Sequence, residues 1–172
     1  MAAVGVEMSA MSGTDLQLAR YRDAPRIAAM SRALIEGGLQ PSWPRERVEW
    51  HLRHTESLVL TARYRGELVG FAIMEYGMDA AHLDLLAVDP MHRRRAIGRG
   101  LLGWLEETAV VAGTFLVRLE TRASNSSAQA FYEALGYRET GRVSGYYQGV
   151  EDAIQMSRDL RVRADRHPQP RV

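Results

Sequence analysis

The stretch "LLAVDPMHRRRAIGRGLL", Leu85 to Leu102, decides the fold. An almost wholly apolar run stops at Pro90, and three arginines, Arg93, Arg94 and Arg95, follow it. From Gly98 the apolar residues Leu101, Leu102, Leu105 and Ala109 recur at helical spacing to about Val111. The pattern is a buried strand, a tight turn and an amphipathic helix. Such a turn aims free backbone N–H groups and the positive end of a helix macrodipole at one point. Glycines at 98 and 100 let an anion approach the backbone closely, and the arginines add charge. By composition alone a short basic run also fits a solvated face or a nucleic-acid patch, and a nucleotide fold is a third option. The P-loop lysine is missing, and the strand–turn–helix setting favours a cradle for pyrophosphate.

Bulk properties narrow the classes. At 172 residues, 46% hydrophobic and 25% charged, the chain fits one globular domain with a core of its own. A net charge of +1 gives no global field to hold nucleic acid or an anionic membrane, so neither is expected as a partner. No apolar run reaches the roughly 18 to 20 residues of a membrane span, and the N-terminus lacks the layout of a secretion signal; a cytoplasmic location is expected. The chain has no cysteine, which excludes disulfides, thiolate metal sites and an acyl-cysteine intermediate. It also has no lysine, so all 22 basic residues are arginine and Schiff-base chemistry is excluded. Group transfer must then be direct, or use Ser, Asp, Glu, His or Tyr.

Working outward, "LQLARY" (Leu16 to Tyr21) predicts a first strand. Asp23 is expected to cap a helix with Ile27, Met30 and Leu34 on one face, ended by Gly37-Gly38. Pro44 can start a second helix carrying Val48 and Leu52. "SLVLTARY" and "LVGFAIMEY" read as a hairpin, "HLDLLAVD" and "FLVRLET" as apolar strands, "SSAQAFYEALGY" as a helix, and "AIQMSRDL" as a last strand. The domain is placed at residues 14–160, with a poorly ordered start (1–13) and a loose arginine-rich tail (161–172). His51 and His54 share a helix face with no evident third ligand, so surface histidines and no metal are expected. Trp43 and Trp50 read as packing, though Trp43 sits in a loop that could line a site.

Two signatures in the right order resemble one family. "RRRAIGRGLL" after "LLAVDP" is similar to the acyl-CoA signature of the GNAT N-acetyltransferases, with Arg93 and Gly98 in register and Ala96 where the family usually has glycine. "LETRASNSSAQAFYEALGY" is similar to the family's second signature, and the resemblance spans about Leu16 to Leu160. It implies an α/β (α+β) GNAT fold: a mixed, mostly antiparallel sheet splayed in a V between the fourth and fifth strands and flanked by helices. It also implies acetyl-CoA as acyl donor, transferred directly to a primary amine. The implied cofactor residues are Leu86, Ala87 and Val88 on the fourth strand, where the family's strand bulges, then Arg93, Arg94, Arg95, Ala96, Ile97, Gly98, Arg99 and Gly100, and Asn125. Asn125 equally suits a helix N-cap. Tyr132 is implied as the general acid, although a Phe-Tyr pair at helical spacing is also ordinary core. Glu120, a carboxylate on an apolar strand, is the implied base; a salt bridge to Arg118 or Arg122 is the plain alternative, and Asp84 is the rival base.

"LETRASN" with "GYYQGVEDAIQM" further resembles the bacterial ribosomal-protein N-terminal acetyltransferases (RimI-like), with Tyr146-Tyr147 and Glu151-Asp152 then bordering the acceptor cleft. Thr121 stands where that branch usually has valine, and "GLQPSWPRERVEW" does not match closely. The acceptor is expected to be a peptide N-terminus, or else a small amine such as a polyamine, an amino acid or an aminoglycoside. A non-catalytic acyl-CoA-binding module is the rival from another class. A monomer or homodimer is expected.

Overall fold

The structure, a computed structural model, describes residues 13–162. The expectations of a loose start and tail fall almost entirely outside those residues. Seven strands, β1 (Thr14–Leu18), β2 (Ser57–Tyr64), β3 (Glu67–Tyr76), β4 (Ala81–Val88), β5 (Leu116–Arg122), β6 (Arg138–Tyr147) and β7 (Glu151–Asp159), form one sheet in the order β1-β2-β3-β4-β5-β7-β6. Helices α1 (Ala24–Leu34) and α2 (Arg45–Arg53) cover one face. Helices α3 (Ile97–Val111) and α4 (Ser126–Ala134) contribute to the core on the other.

Each element has a local cause. The β2–β3 hairpin turns on Arg65 and Gly66, both at positive φ (49° and 84°), the backbone twist that suits a two-residue loop. α4 starts where Asn125 Oδ1 accepts the Ala128 N–H at 3.1 Å. Asp23 precedes α1 but does not cap it through its side chain. Its carboxylate instead accepts the Arg20 N–H at 2.8 Å and pairs with Arg63 at 2.5 Å. The first strand ends at Leu18 because Tyr21–Asp23 turn into a short 3-10 helix. β6 gives no signal in the sequence. It is an edge strand with little buried on either side, interrupted by Gly141 and Gly145, so no apolar alternation marks it.

β4 and β5 are the parallel neighbours, and they pair only over Ala81↔Val117, His82↔Arg118 and Leu83↔Leu119. Beyond Leu83 the two strands separate, which is the V-shaped splay the resemblance implies. A bulge sits at the same place. Ile73 pairs with Leu85 and Met74 with Leu83, leaving Asp84 as an extra residue in β4. The bulge therefore lies at Asp84, upstream of the Leu86–Val88 stretch where it was expected. It also reverses the strand's facing: Leu83 packs in the α3 core, whereas Leu85 and Ala87 pack in the α1/α2 core.

Candidate active site

A cavity of about 990 Å³ opens where β4 and β5 part. One end of it is built by the turn before α3. Ala96, just before that helix, has φ 57° and ψ 17°, and no side chain caps the helix. Gly100 N–H already bonds Ala96 O at 2.9 Å, so the free N–H groups of the first turn belong to Ile97, Gly98 and Arg99. Leu86, Ala87, Val88, Arg93, Arg94, Ala96, Ile97, Gly98, Arg99 and Asn125 all line the cavity. Gly100 and Arg95 do not line it; the Arg95 guanidinium lies over the Tyr64 ring, 5.2 Å from its centroid. Gly98, Gly100 and Gly103 have the G-x-G-x-x-G spacing of a dinucleotide loop, but all three lie inside α3, so they form no such loop. A Cβ on Gly98 would come within 3.2 Å of the Phe131 ring, so this glycine lets α4 approach α3.

The inner edge of β4 supplies hydrogen-bond donors. Asp89 N–H bonds Val69 O at 2.7 Å, so by the alternation of an antiparallel ladder Ala87 also turns its N–H to β3. The N–H groups of Leu86 and Val88 then face the gap. Arg93 Nε donates to Val88 O at 3.2 Å, in keeping with that orientation.

Tyr132 reaches the cavity from α4. It is buried in the α3/α4 core, and no hydrogen bond of its hydroxyl is found among the described residues. Burial pushes its pKa well above the ordinary tyrosine value, so it carries its proton at neutral pH. Leu119 and Val117 point into that same core, so Glu120 between Leu119 and Thr121 points to the opposite, α1/α2 face. The two groups thus approach the cavity from opposite faces of the sheet.

Glu120 is not paired with Arg118 or Arg122. Its Oε2 meets His82 Nε2 at 2.5 Å, and His82 Nδ1 meets Asp84 Oδ1 at 2.8 Å. The two carboxylates weighed as rival bases are thus joined by one imidazole. The bonds to Asp84 and then Glu120 raise the His82 pKa to about 10, and the His82 bond holds Glu120 below its ordinary value. The sequence reading missed His82. The available signal was His82 and Asp84 at strand spacing, two polar residues on one face of an otherwise apolar strand.

The other end of the cavity lies on the α1/α2 side. Trp43, buried and under the Arg47 guanidinium at 3.9 Å, lines it with Leu34, Leu39, Tyr146 and Tyr147. Burial raises the pKa of both tyrosines. Across the mouth, Gln148 clasps Gln40 through two 2.9 Å bonds between its side-chain amide and the Gln40 backbone. Arg122 Nη1 holds Gly37 O at 2.7 Å while its Nε pairs with Glu151 at 2.6 Å. Glu151 and Asp152 lie off the cavity, contrary to expectation. Glu151 serves Arg122 and Ser124, and Asp152 serves Arg142 and the Gly145 N–H. His51 is also not a surface residue: it is 3% exposed, bonds Ser57 Oγ at 2.8 Å and stacks on Trp43. His54 is exposed, as expected, and stacks on Trp50.

The chain matches the model of the acetyltransferase (GNAT) family over residues 24–137. It is 43% identical over 104 residues to the [ribosomal protein bS18]-alanine N-acetyltransferase of Salmonella typhimurium, covering 59% of this chain and 69% of that protein. It is 30% identical over 155 residues to an N-alpha-acetyltransferase of Sulfurisphaera tokodaii, covering 83% of this chain and 90% of the other. Among solved structures, the ribosomal-protein-S18-alanine N-acetyltransferase from Escherichia coli superposes with a TM-score of 0.74 at 28% identity, over 88% of this chain and 97% of that one.

Proposed function

The chain belongs to the acetyltransferase (GNAT) family of acetyl-CoA-dependent N-acetyltransferases, and on that premise we propose that its acceptor is the free α-amine of a protein N-terminus. The observation that carries the reading is the approach of Glu120 and Tyr132 to one gap from opposite faces of the sheet. Acetyl-CoA lies on the α3 side, its pyrophosphate on the free N–H groups of Ile97, Gly98 and Arg99 with Arg93 and Arg94 beside them. The acceptor enters from the α1/α2 side, so both substrates meet in the V and transfer is direct.

Glu120 takes a proton from the acceptor ammonium, directly or through a water. The amine nitrogen attacks the thioester carbonyl, and the Leu86 and Val88 N–H groups meet the oxyanion that develops. Collapse breaks the C–S bond, and the Tyr132 hydroxyl gives its proton to the departing thiolate. The products are the N-acetylated acceptor and CoA. The likeness to the bS18-alanine acetyltransferases supports an N-terminal acceptor, with alanine as the first residue to try. The expected cytoplasmic location suits such a substrate.

The test is free-thiol release from acetyl-CoA against three sets of acceptors: peptides with free N-termini, the same peptides blocked, and polyamines with other small amines. A protein without cysteine contributes no thiol background. Turnover confined to free N-termini is the expected result. A preference for small amines would move the acceptor to that class, and acetyl-CoA binding without turnover would favour a non-catalytic module.

A further inference from the structure

His82 occupies a singular place in the sheet. It sits in the last stretch where β4 and β5 are still paired, opposite Arg118, and Glu120 follows the last paired residue of β5. Backbone pairing ends there, and the next link between the strands is the side-chain bridge from Asp84 through His82 to Glu120. His82 and Asp84 share the α1/α2 side by strand spacing alone, and the bulge at Asp84 then turns the next residue, Leu85, to that same side. One oxygen of Glu120, Oε2, is committed to the imidazole. The other, Oε1, has only a long 3.4 Å contact from the Gln155 amide.

We propose that His82 is the positioning residue of the acceptor site: held by Asp84, it clamps Glu120 across the splay so that one carboxylate oxygen is left to receive the ammonium proton. This rests on Glu120 being the base. The balance is simple. The acceptor nitrogen loses one proton to Glu120 Oε1, His82 keeps both ring protons, and the Asp84–His82–Glu120 group passes from one net negative charge to none. That net negative charge also attracts the ammonium before transfer. Other charged or titratable groups face this group from each packed element. They are Glu75 from β3, Arg47 and His51 from α2, Arg122 from β5, and Tyr146 and Tyr147 from β6. His51 is kept neutral by burial, Arg47 is a cation on that side, and Arg122 is paired with Glu151. His82 is therefore the cation in direct contact with the base, and its removal acts on the base specifically.

The experiment compares wild type with His82→Gln, Asp84→Asn and Glu120→Gln, using acetyl-CoA and a free-N-terminus peptide. It reads kcat, both KM values, the acid limb of the pH profile and the melting temperature. His82→Gln is expected to lower kcat about tenfold and leave the KM for acetyl-CoA within twofold. It is also expected to move the acid limb upward by about one pH unit, because an opposite charge in contact depresses a carboxyl by about 1 to 3 units. Asp84→Asn is expected to lower kcat as well, because His82 loses its anchor, and it stands in if His82→Gln does not fold. Glu120→Gln removes the limb. If Glu120→Gln is inactive while folded His82→Gln or Asp84→Asn keeps the wild-type kcat and acid limb, the clamp is merely structural and the proposal fails. If Glu120→Gln keeps wild-type turnover, the base assignment itself is wrong.

Discussion

Ala96 holds a left-handed conformation (φ 57°) in the turn proposed to cradle the coenzyme, where the family usually has glycine. Its methyl group costs about 1–2 kcal/mol there. Glycine would return part of that gain as extra unfolded-chain entropy, about 0.4–1 kcal/mol. Ala96→Gly is therefore expected to raise stability by about 0.5–1 kcal/mol net and to lower the KM for acetyl-CoA without changing kcat at saturation. Thermal melts and steady-state kinetics check both. The reverse split applies to the groups assigned to proton transfer. Tyr132→Phe and Glu120→Gln are each expected to lower kcat by about 100-fold or more while acetyl-CoA binding by calorimetry stays near wild type. Tyr132→Phe removes only a hydroxyl with no hydrogen bond among the described residues, so the fold has little to lose.

At the scale of elements, α3 and α4 are held close by an absence. Gly98 leaves room for the Phe131 ring, and a Cβ there would force a shift of a few tenths of an ångström. Gly98 also carries one of the free N–H groups of the first turn. Gly98→Ala is expected to weaken acetyl-CoA binding several-fold while lowering the melting temperature only slightly, since overpacking at a partly open site is relieved by small movements. Phe131→Leu in the same chain is expected to restore most of the lost affinity. An unrestored variant would mean that the methyl group blocks the pyrophosphate directly. The β4 bulge acts at this scale as well. One extra residue sits where the pairing with β5 ends and turns the strand over, so that Leu85 and Ala87 join the α1/α2 side that His82 and Asp84 already occupy.

The whole molecule couples this site to stability through protons. The folded His82 pKa, about 10, lies above the ordinary value of 6.5. A group raised on folding stabilises fully below its unfolded pKa and loses that contribution as pH rises through the folded pKa. The melting temperature is therefore expected to fall between about pH 6.5 and 10, and to fall less steeply in His82→Gln. A parallel pair of curves would show that other groups set the alkaline limb. On the far side of the sheet, buried Glu106 is held by the Tyr137 hydroxyl at 2.7 Å and Arg158 at 2.8 Å, tying α3, the start of β6 and β7 into one body. The cavity thus opens within a sheet braced on both sides of the splay.

Local chemistry alone carried much of this. The apolar run into Pro90, the arginines and the glycine-started helix determined the strand–turn–helix cradle, because strand and helix periods and free helix N-termini are properties of short segments. The two separated signatures identified the family, and with it the splayed sheet and the candidate pair Glu120 and Tyr132. What the sequence left open depends on parity and pairing across distant segments. β6 escaped notice because an exposed edge strand needs no buried pattern. His51 read as a surface residue because its partners, Ser57 and the Trp43 ring, come from elsewhere in the chain. Arg95 and Gly100 read as cradle residues because spacing does not say which way a side chain points or which N–H is already bonded. Only the tertiary structure brought Asp84 and Glu120 to one imidazole. Strand spacing puts His82 and Asp84 on one face, but the register between two parallel strands, invisible in either one, places His82 beside Glu120.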